Sequence, residues 1–166
     1  MQELNKVGRI EISGPSAGKA LMEFERQLRA WNLTMPAVKP LVADFGLGDF
    51  YRVGLIEYWI ANEVEAGYCG KFLFLFDRQT CPRHHHREKL ETFFIVHGAV
   101  EMAYDGKVWQ MKPGDILKVE CDKPHQFRGV GPALIIEVSR PCIVADNYFA
   151  DPNIPIGGNY NGNCNK

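Results

Sequence analysis

The sequence predicts an all-β fold, a barrel or sandwich, preceded by a single α-helix. Seven short runs rich in β-branched and aromatic residues follow one another, separated by turns of Gly, Pro or Asp. Such regular spacing is typical of a barrel or sandwich. Asp105-Gly106 between two of the runs predicts a two-residue hairpin, since that turn needs positive φ at both positions. The runs are residues 53–61, 71–76, 93–96, 100–104, 108–111, 116–119 and 133–138.

The helix is predicted from a run of apolar residues before the first of these strands. Ser16 is the expected N-cap, and two prolines in residues 32–40 end the helix and lead the chain to the barrel. A short strand over residues 8–13 is expected before it. The apolar residues recur at spacings of three and four and predict one buried face: Leu21, Phe24, Leu28 and Trp31.

The length of 166 residues is enough for one well-buried core and too short for two ordinary domains. We expect an N-terminal extension carrying the helix at 1–40, a barrel at 41–150 and a C-terminal tail at 151–166. The tail is rich in Gly and Asn and poor in apolar residues, so it is either a frayed end or a strap along the barrel.

Charge and composition exclude several partners. The formal net charge is −1 and no basic stripe stands out, which argues against nucleic-acid binding. The apolar runs are far shorter than the roughly 20 residues that span a bilayer, so no membrane role is expected. Five cysteines without a C-x-x-C pair, and an N-terminus without an apolar signal core, predict a reducing cytoplasm.

The residues that suggest chemistry lie in QTCPRHHHREKLETFFIVHG, residues 79–98. Alternate residues of a strand share a face about 6.6 Å apart, so His84 and His86 can converge on one ion while His85 points away. Glu91 adds a carboxylate, and His125 is the best candidate for a fourth ligand. This mixture of imidazole and carboxylate suits Mn, Fe, Co, Ni or Zn.

A solvated histidine cluster or the remnant of a tag is the simpler explanation of the histidine run at residues 84–86, but tags are usually terminal and longer.

Other residues near this motif are expected to be structural. His85 and His97 are expected to be structural or surface residues. Cys81 is expected to be a buried, apolar-like cysteine, although a thiolate ligand remains an alternative.

A four-ligand site on a six-coordinate ion leaves two positions, enough for two neighbouring oxygens of a substrate. The metal would act there as a Lewis acid and template. Lys89 shares the strand parity of Glu91, and proximity to the cation would favour its neutral form. Glu137 is a carboxylate in an apolar strand, which is costly to bury unless it is paired or functional. The simpler alternatives are a surface Lys89 and an ion pair between Glu137 and Lys71 or Arg128.

A family resemblance narrows the prediction. The order His84, His86, Glu91, Gly98 resembles the first motif of the cupins, and residues 114–125 resemble the second. Several further segments, spread over about residues 42–151, resemble the D-lyxose ketol-isomerase family of metal-dependent sugar isomerases. These segments are Asp44-Phe45-Gly46-Leu47-Gly48, Tyr68-Cys69-x-Lys71, Gln79-Thr80-Cys81-Pro82, Glu91-Thr92-Phe93 and Glu137-Val138-Ser139.

The resemblance implies a cupin barrel, also called a double-stranded β-helix or jelly roll. It implies an enzyme that interconverts a free aldose of the D-lyxose or D-mannose type with D-xylulose or D-fructose. Lys89 and Glu137 would be its acid–base groups, and Lys71 and Asp146 would bind the substrate. An edge lysine and an Asx turn are the plain alternatives for the last two.

The expected cofactor is a divalent metal, with Mn²⁺ first and Fe, Co, Ni or Zn as alternatives. A homodimer is expected because barrels of this kind expose edges and an apolar face. Two other functions use the same ligands. One is a metal-dependent oxygenase, and the other is a non-catalytic module that binds sugar or metal.

Overall fold

A computed structural model describes residues 2–158 of the chain. In these residues one helix precedes nine strands, which form a single curled sheet. The predicted all-β barrel with an N-terminal helix is therefore confirmed. The elements are a 3₁₀ turn Gln2–Lys6, α1 Gly14–Trp31, β1 Leu41–Ala43, β2 Leu55–Glu63, β3 Tyr68–Leu75, β4 Thr80–His85, β5 Glu91–Tyr104, β6 Lys107–Met111, β7 Ile116–Val119, β8 His125–Ser139, a 3₁₀ turn Val144–Asp146 and β9 Tyr148–Phe149.

The sheet is organised around β8. Its first half pairs with β4 and its second half with β3, and along both halves the other edge pairs with β5. The strand order is β1-β2-β3-β8-β4-β9, with β6 and β7 attached to β5. This arrangement curls the sheet around one apolar interior, so that inward-facing side chains of β2, β3, β4, β5 and β8 meet.

Helix α1 packs on the outer face of the sheet. The ring of Phe24 lies 4.6 Å from that of Phe74 on β3, and Leu28 is also buried. The predicted apolar face is confirmed, but the predicted start is wrong. Ser13 is the N-cap and Pro15 lies in the first turn, where its missing N–H costs nothing.

The strand expected over residues 8–13 is also wrong. Only Glu11 forms a bridge, to Ala43. Gly14 has a φ of 67° and turns the chain into the helix at once. β1 is only three residues long, so it offers little edge on which a further strand could extend.

β5 was predicted as two strands but forms one strand of 14 residues. Its register shifts around His97, which lets it bend and continue. Gly98 has a φ of 71°, and a Cβ there would lie 2.0 Å from the carbonyl oxygen of Pro132. The hairpin that follows is confirmed, since Asp105 and Gly106 have φ of 48° and 78°.

Both ends of the described chain pack against the barrel. Val7 and Ile10 belong to the interior core, as does Ile154 of the tail. Residues 151–158 therefore form a strap, whereas residues 159–166 lie outside the described residues. Domain boundaries at 40 and 150 stay predictions. No helix within residues 2–158 is long and apolar enough to cross a membrane.

Candidate metal centre and acid–base site

Three buried histidines converge at one end of the barrel. His84 on β4 stands directly opposite His125 on β8, and His86 follows the end of β4. One ligand atom from each lies within 4.8 Å of the others. The strand-parity prediction for His84 and His86 therefore matches the geometry, although β4 has an irregularity before His84.

Each of these rings is oriented by a backbone carbonyl. The Nδ1 atoms lie 2.8 Å from the oxygen of Pro82, 2.9 Å from that of Asp146 and 3.2 Å from that of Lys123, for His84, His86 and His125 respectively. A carbonyl oxygen only accepts, so each Nδ1 carries the proton. Each Nε2 is then a free lone pair, the form that ligates a metal.

Glu91 places its carboxylate against two of these histidines. Its Oε2 lies 3.1 Å from Nε2 of His125, and its Oε1 lies 3.3 Å from Nε2 of His86. Among the described residues both Nε2 atoms and Oε2 are buried without a hydrogen-bond partner. Acceptors face acceptors here, so a cation between them would satisfy all of them. The donor set fits a divalent metal ion.

The charges of the separate groups agree with this use. Burial lowers the pKa of His84 well below its ordinary value, and His125 and His86 add to the shift, so His84 is neutral near pH 7. Burial would raise the pKa of Glu91, but the ammonium of Lys89 and the two histidines hold it well below its usual range. His84 thus offers a neutral imidazole beside the ionised carboxylate of Glu91.

Beside the histidines runs a buried chain of alternating charges. Lys89 Nζ lies 2.6 Å from Glu91 Oε1 and 2.6 Å from Glu137 Oε1. Lys71 Nζ continues the chain, at 3.2 Å from Glu137 Oε2 and 3.3 Å from Glu57 Oε2. Lys71 stands opposite Glu137 in the register of β3 and β8. The pairing of Glu137 with Lys71, one of the simpler alternatives, is therefore observed, while Arg128 pairs with Glu101.

Lys89 differs from expectation in its charge. Burial alone would lower the pKa of Lys89, but Glu137 and Glu91 outweigh burial and raise it. The predicted neutral amine is wrong, because two carboxylates flank Lys89 and stabilise its charged form. Burial would raise the pKa of Glu137, but Lys71 and Lys89 lower it. The pair is therefore an ammonium and a carboxylate.

Asp146 also has a different environment from the one expected. Its Oδ1 accepts from the backbone N–H of Arg87, and its Oδ2 from that of Lys89, both at 3.0 Å. The N–H of Glu88 is shared between the two oxygens. Its carboxylate is thus used to hold the turn between β4 and β5, and it does not face the cavity.

The remaining candidates are not members of the three-histidine group. His85 is buried and stacks on Tyr148, and His97 stacks on Trp31 with ring centroids 4.2 Å apart. Cys81 is buried on the cavity wall, and burial raises its pKa well above the ordinary value, which disfavours a thiolate. All three match their expected structural roles.

A cavity opens beside the ligands and the charged chain. Its empty volume, including the mouth, is about 370 Å³. Sequence reasoning missed Glu57 and Asn147, whose sequence contexts carry no motif and which reach the cavity only through strand register and the 3₁₀ turn. The lining is Phe45, Leu55, Glu57, Lys71, Leu73, Cys81, His84, Lys89, Glu91, Phe93, Phe127, Glu137, Asn147 and Phe149.

Comparison with known proteins identifies the fold and the relatives. A family model described as "Cupin domain" matches residues 75–139. A D-lyxose/D-mannose isomerase from Thermosediminibacter oceani is 32% identical over 141 residues, which covers 68% of this chain and 77% of the relative. A D-lyxose ketol-isomerase from Thermofilum sp. is 32% identical over 142 residues, with the same coverage.

A solved structure shows the same fold over more of the chain. L-ribose isomerase from Cellulomonas parahominis, solved with L-ribose, superposes with a TM-score of 0.70 at 17% identity. The match covers 88% of this chain and 96% of that one. It confirms the predicted fold, and the two relatives confirm the predicted enzyme class. The chain belongs to the D-lyxose ketol-isomerase family and is an aldose–ketose isomerase built on a cupin fold.

Proposed function

We propose that the protein interconverts a free aldose of the D-lyxose or D-mannose type and its ketose, D-xylulose or D-fructose, through a cis-enediolate. The observation that carries this proposal is the buried contact of Lys89 with both Glu91 and Glu137, at 2.6 Å each, beside three histidine lone pairs. It brings an acid, a base and a ligand set to one cavity. The names of the two relatives, a D-lyxose/D-mannose isomerase and a D-lyxose ketol-isomerase, support the class of sugar.

The metal centre has a limited part in the proposal. His84, His86, His125 and Glu91 would hold a divalent ion, with Mn²⁺ first and Fe, Co, Ni or Zn also compatible with the donors. When bound, such an ion supplies a Lewis-acidic positive charge beside the sugar oxygens.

Glu137 is the proposed base. Its lowered pKa keeps the carboxylate ionised, ready to accept a proton from the carbon next to the aldehyde. The carboxyl then gives a proton to the former aldehyde carbon, and because the acidic proton of the carboxyl can exchange with solvent in between, that carbon takes up solvent hydrogen. Lys71, at 3.2 Å from Oε2, holds the carboxylate in place.

Lys89 is the proposed acid at the oxygens. Its ammonium gives a proton to the oxygen that begins as the carbonyl and receives one from the neighbouring hydroxyl, so that the ammonium is restored. Asp146 has a positioning role in this proposal, because it holds the N–H of Lys89. The cavity suits a sugar, since its wall carries carboxylate and ammonium groups that can accept hydrogen bonds from hydroxyl groups and donate to them.

The test is isomerisation by the Mn²⁺-loaded protein of a panel of free pentoses and hexoses in D₂O. Formation of a ketose with solvent deuterium on the carbon beside the carbonyl is the expected result. Ketose without deuterium would contradict proton exchange and indicate a hydride shift. The assay is repeated with the protein loaded with Fe, Co, Ni or Zn. If no sugar is converted with any of these metals or with Mn²⁺, the proposed function is wrong.

Glu137→Gln separates chemistry from metal binding. We expect kcat to fall by about 10²-fold or more, since general acid–base groups contribute roughly 10²–10⁴-fold, while the metal content is unchanged. Glu101→Gln, at a partly exposed surface ion pair, is the matched control and should keep wild-type kcat. A Glu137→Gln enzyme with near-wild-type kcat would remove Glu137 from the mechanism.

A further inference from the structure

Glu57 on β2 is a buried carboxylate to which the proposed proton transfer assigns no part. Its side chain lines the cavity. Trp59 Nε1 donates to its Oε2 at 2.7 Å, and Lys71 Nζ lies 3.3 Å from the same oxygen. Within residues 2–158, the hydrogen bonds and ion pair recorded for Glu57 all end on Oε2. Oε1 is therefore left as an acceptor on the cavity wall.

Two neighbours of this acceptor on β2 and β3 are apolar. Leu73 stands opposite Glu57 in the register of β2 and β3, and Leu55 precedes it on the same face of β2. A carboxylate in an apolar wall is costly unless its oxygens are satisfied. The ammonium of Lys71 neutralises the carboxylate of Glu57 only in part, because it also contacts Glu137. Among the described residues no donor contacts the second oxygen, so it can accept a hydrogen bond from a bound molecule.

We propose that Glu57 is a specificity-determining residue whose Oε1 accepts a hydrogen bond from a hydroxyl on the part of the sugar beyond the two reacting carbons. This inference rests on the proposed isomerase function. Glu57 and Glu137 both contact the ammonium of Lys71, so they lie within two hydrogen-bond lengths of each other. With Glu137 at the reacting carbons, Glu57 reaches a hydroxyl a few carbons along the chain.

The competing explanation is that Glu57 is only a counter-ion of Lys71. The two roles predict different kinetics. Loss of a counter-ion disturbs Lys71 and Glu137, and so lowers kcat for every sugar by the same factor. Loss of a hydroxyl acceptor changes the preference between a sugar and the analogue without that hydroxyl, because a site built for a hydroxyl rejects the analogue that lacks it.

The experiment compares kcat/KM for the preferred aldose with kcat/KM for its analogues deoxygenated singly at each carbon beyond the reacting pair. The wild-type enzyme should prefer the parent sugar over one of these analogues by about 10-fold or more, as expected for a hydrogen bond to a charged group. In Glu57→Gln that ratio should fall to less than about 3-fold, because a neutral amide makes a weaker bond. Glu63→Gln, exposed on the same strand, should keep the wild-type ratio.

Trp59→Phe provides a second variant that keeps the carboxylate. It removes the donor that fixes Oε2, so Oε1 loses its orientation and the same ratio should fall. If thermal unfolding shows that Glu57→Gln does not fold, Trp59→Phe tests the proposed role of Glu57 in its place. A sugar alcohol, which has no carbonyl and does not react, gives the same comparison as a calorimetric binding measurement without turnover.

Two results would overturn the inference while leaving the proposed function intact. One is an active wild-type enzyme that does not distinguish any of the deoxy analogues from the parent. The other is a ratio that Glu57→Gln and Trp59→Phe leave unchanged, even with kcat lowered for all sugars. A wild-type enzyme that converts no aldose would instead refute the proposed function itself, on which the assignment depends.

Discussion

Each histidine of the buried three-histidine group donates its Nδ1 proton to one backbone carbonyl, and that single contact decides both its tautomer and its direction. Because Pro82 lies two residues before His84, and Lys123 two residues before His125, local chain geometry provides two of the three acceptors. The third comes from Asp146, 60 residues away. The convergence of His84 and His86 could be predicted from the spacing of the motif, but this long-range acceptor could not.

The stability of the metal-free protein should depend on pH through His84. Burial, then His125 and His86, lower its pKa in the folded state, whereas the unfolded chain regains the ordinary value of 6.5. The unfolded state therefore takes up a proton first as the pH falls. Stability that is fully present above pH 6.5 is lost progressively below it, since the slope follows the difference in bound protons.

His84→Asn tests this sign, because the asparagine amide can still donate to Pro82 but does not titrate. We expect the thermal midpoint of the metal-free wild type to fall more steeply between pH 7.5 and 5.5 than that of His84→Asn. Some slope should remain, since burial also lowers the pKa of His85. Parallel curves for the two proteins would contradict the assignment.

At the scale of elements, the turn between β4 and β5 carries Lys89 and is held from a distance by the 3₁₀ turn Val144–Asp146. Three consecutive N–H groups, of residues 87–89, point at the carboxylate of Asp146. The carbonyl of the same residue orients His86. One short turn thus positions both a proposed ligand and the proposed acid.

Asp146→Asn should weaken both the hold on the turn of residues 87–89 and the orientation of His86. The amide has a single acceptor oxygen, so at least one of the three N–H groups loses its partner, at a cost of about 1 kcal/mol or more in the free energy of unfolding. Metal affinity should fall as well, because His86 loses its fixed direction. Urea unfolding and calorimetric titration with Mn²⁺ measure the two effects. Asp151→Asn, which alters an exposed Asp–Asn turn contact, is the control; equal effects from both variants would refute the positioning role.

The limits of sequence prediction also lie at this scale. The hairpin at Asp105-Gly106 was predictable because two adjacent residues determine it. The length of β5 was not, because the register shift at His97 depends on its partner β8. Glu57 was missed for a similar reason: only the pairing of β2 with β3 brings it next to Lys71. Contacts within a motif can be read from its spacing, whereas contacts between strands require the register.

At the scale of the whole molecule, the outer face of the sheet is only partly covered. Helix α1 packs over Ile56, Phe74 and Leu134. Farther along β8, and on the neighbouring strands β5 and β7, apolar residues are exposed. Val138 is 59% exposed on the central strand β8, and Ile116, 68% exposed on β7, stands opposite Phe94 of β5. An exposed apolar surface of this kind favours association. Most soluble oligomers are homo-oligomers, so a second copy of the chain is the expected partner.

We therefore expect a homodimer that uses this face, with the Val138 side chains of one protomer and its partner near the two-fold axis. Val138→Lys would place a charge in that contact, and like charges would meet because an isologous interface pairs the same surface with itself. Light scattering during size-exclusion chromatography should give a dimer mass for the wild type and a monomer mass for Val138→Lys. Val108→Lys, equally exposed but on β6, should remain dimeric. A monomeric wild type would refute the dimer, and a dimeric Val138→Lys would move the interface to another face.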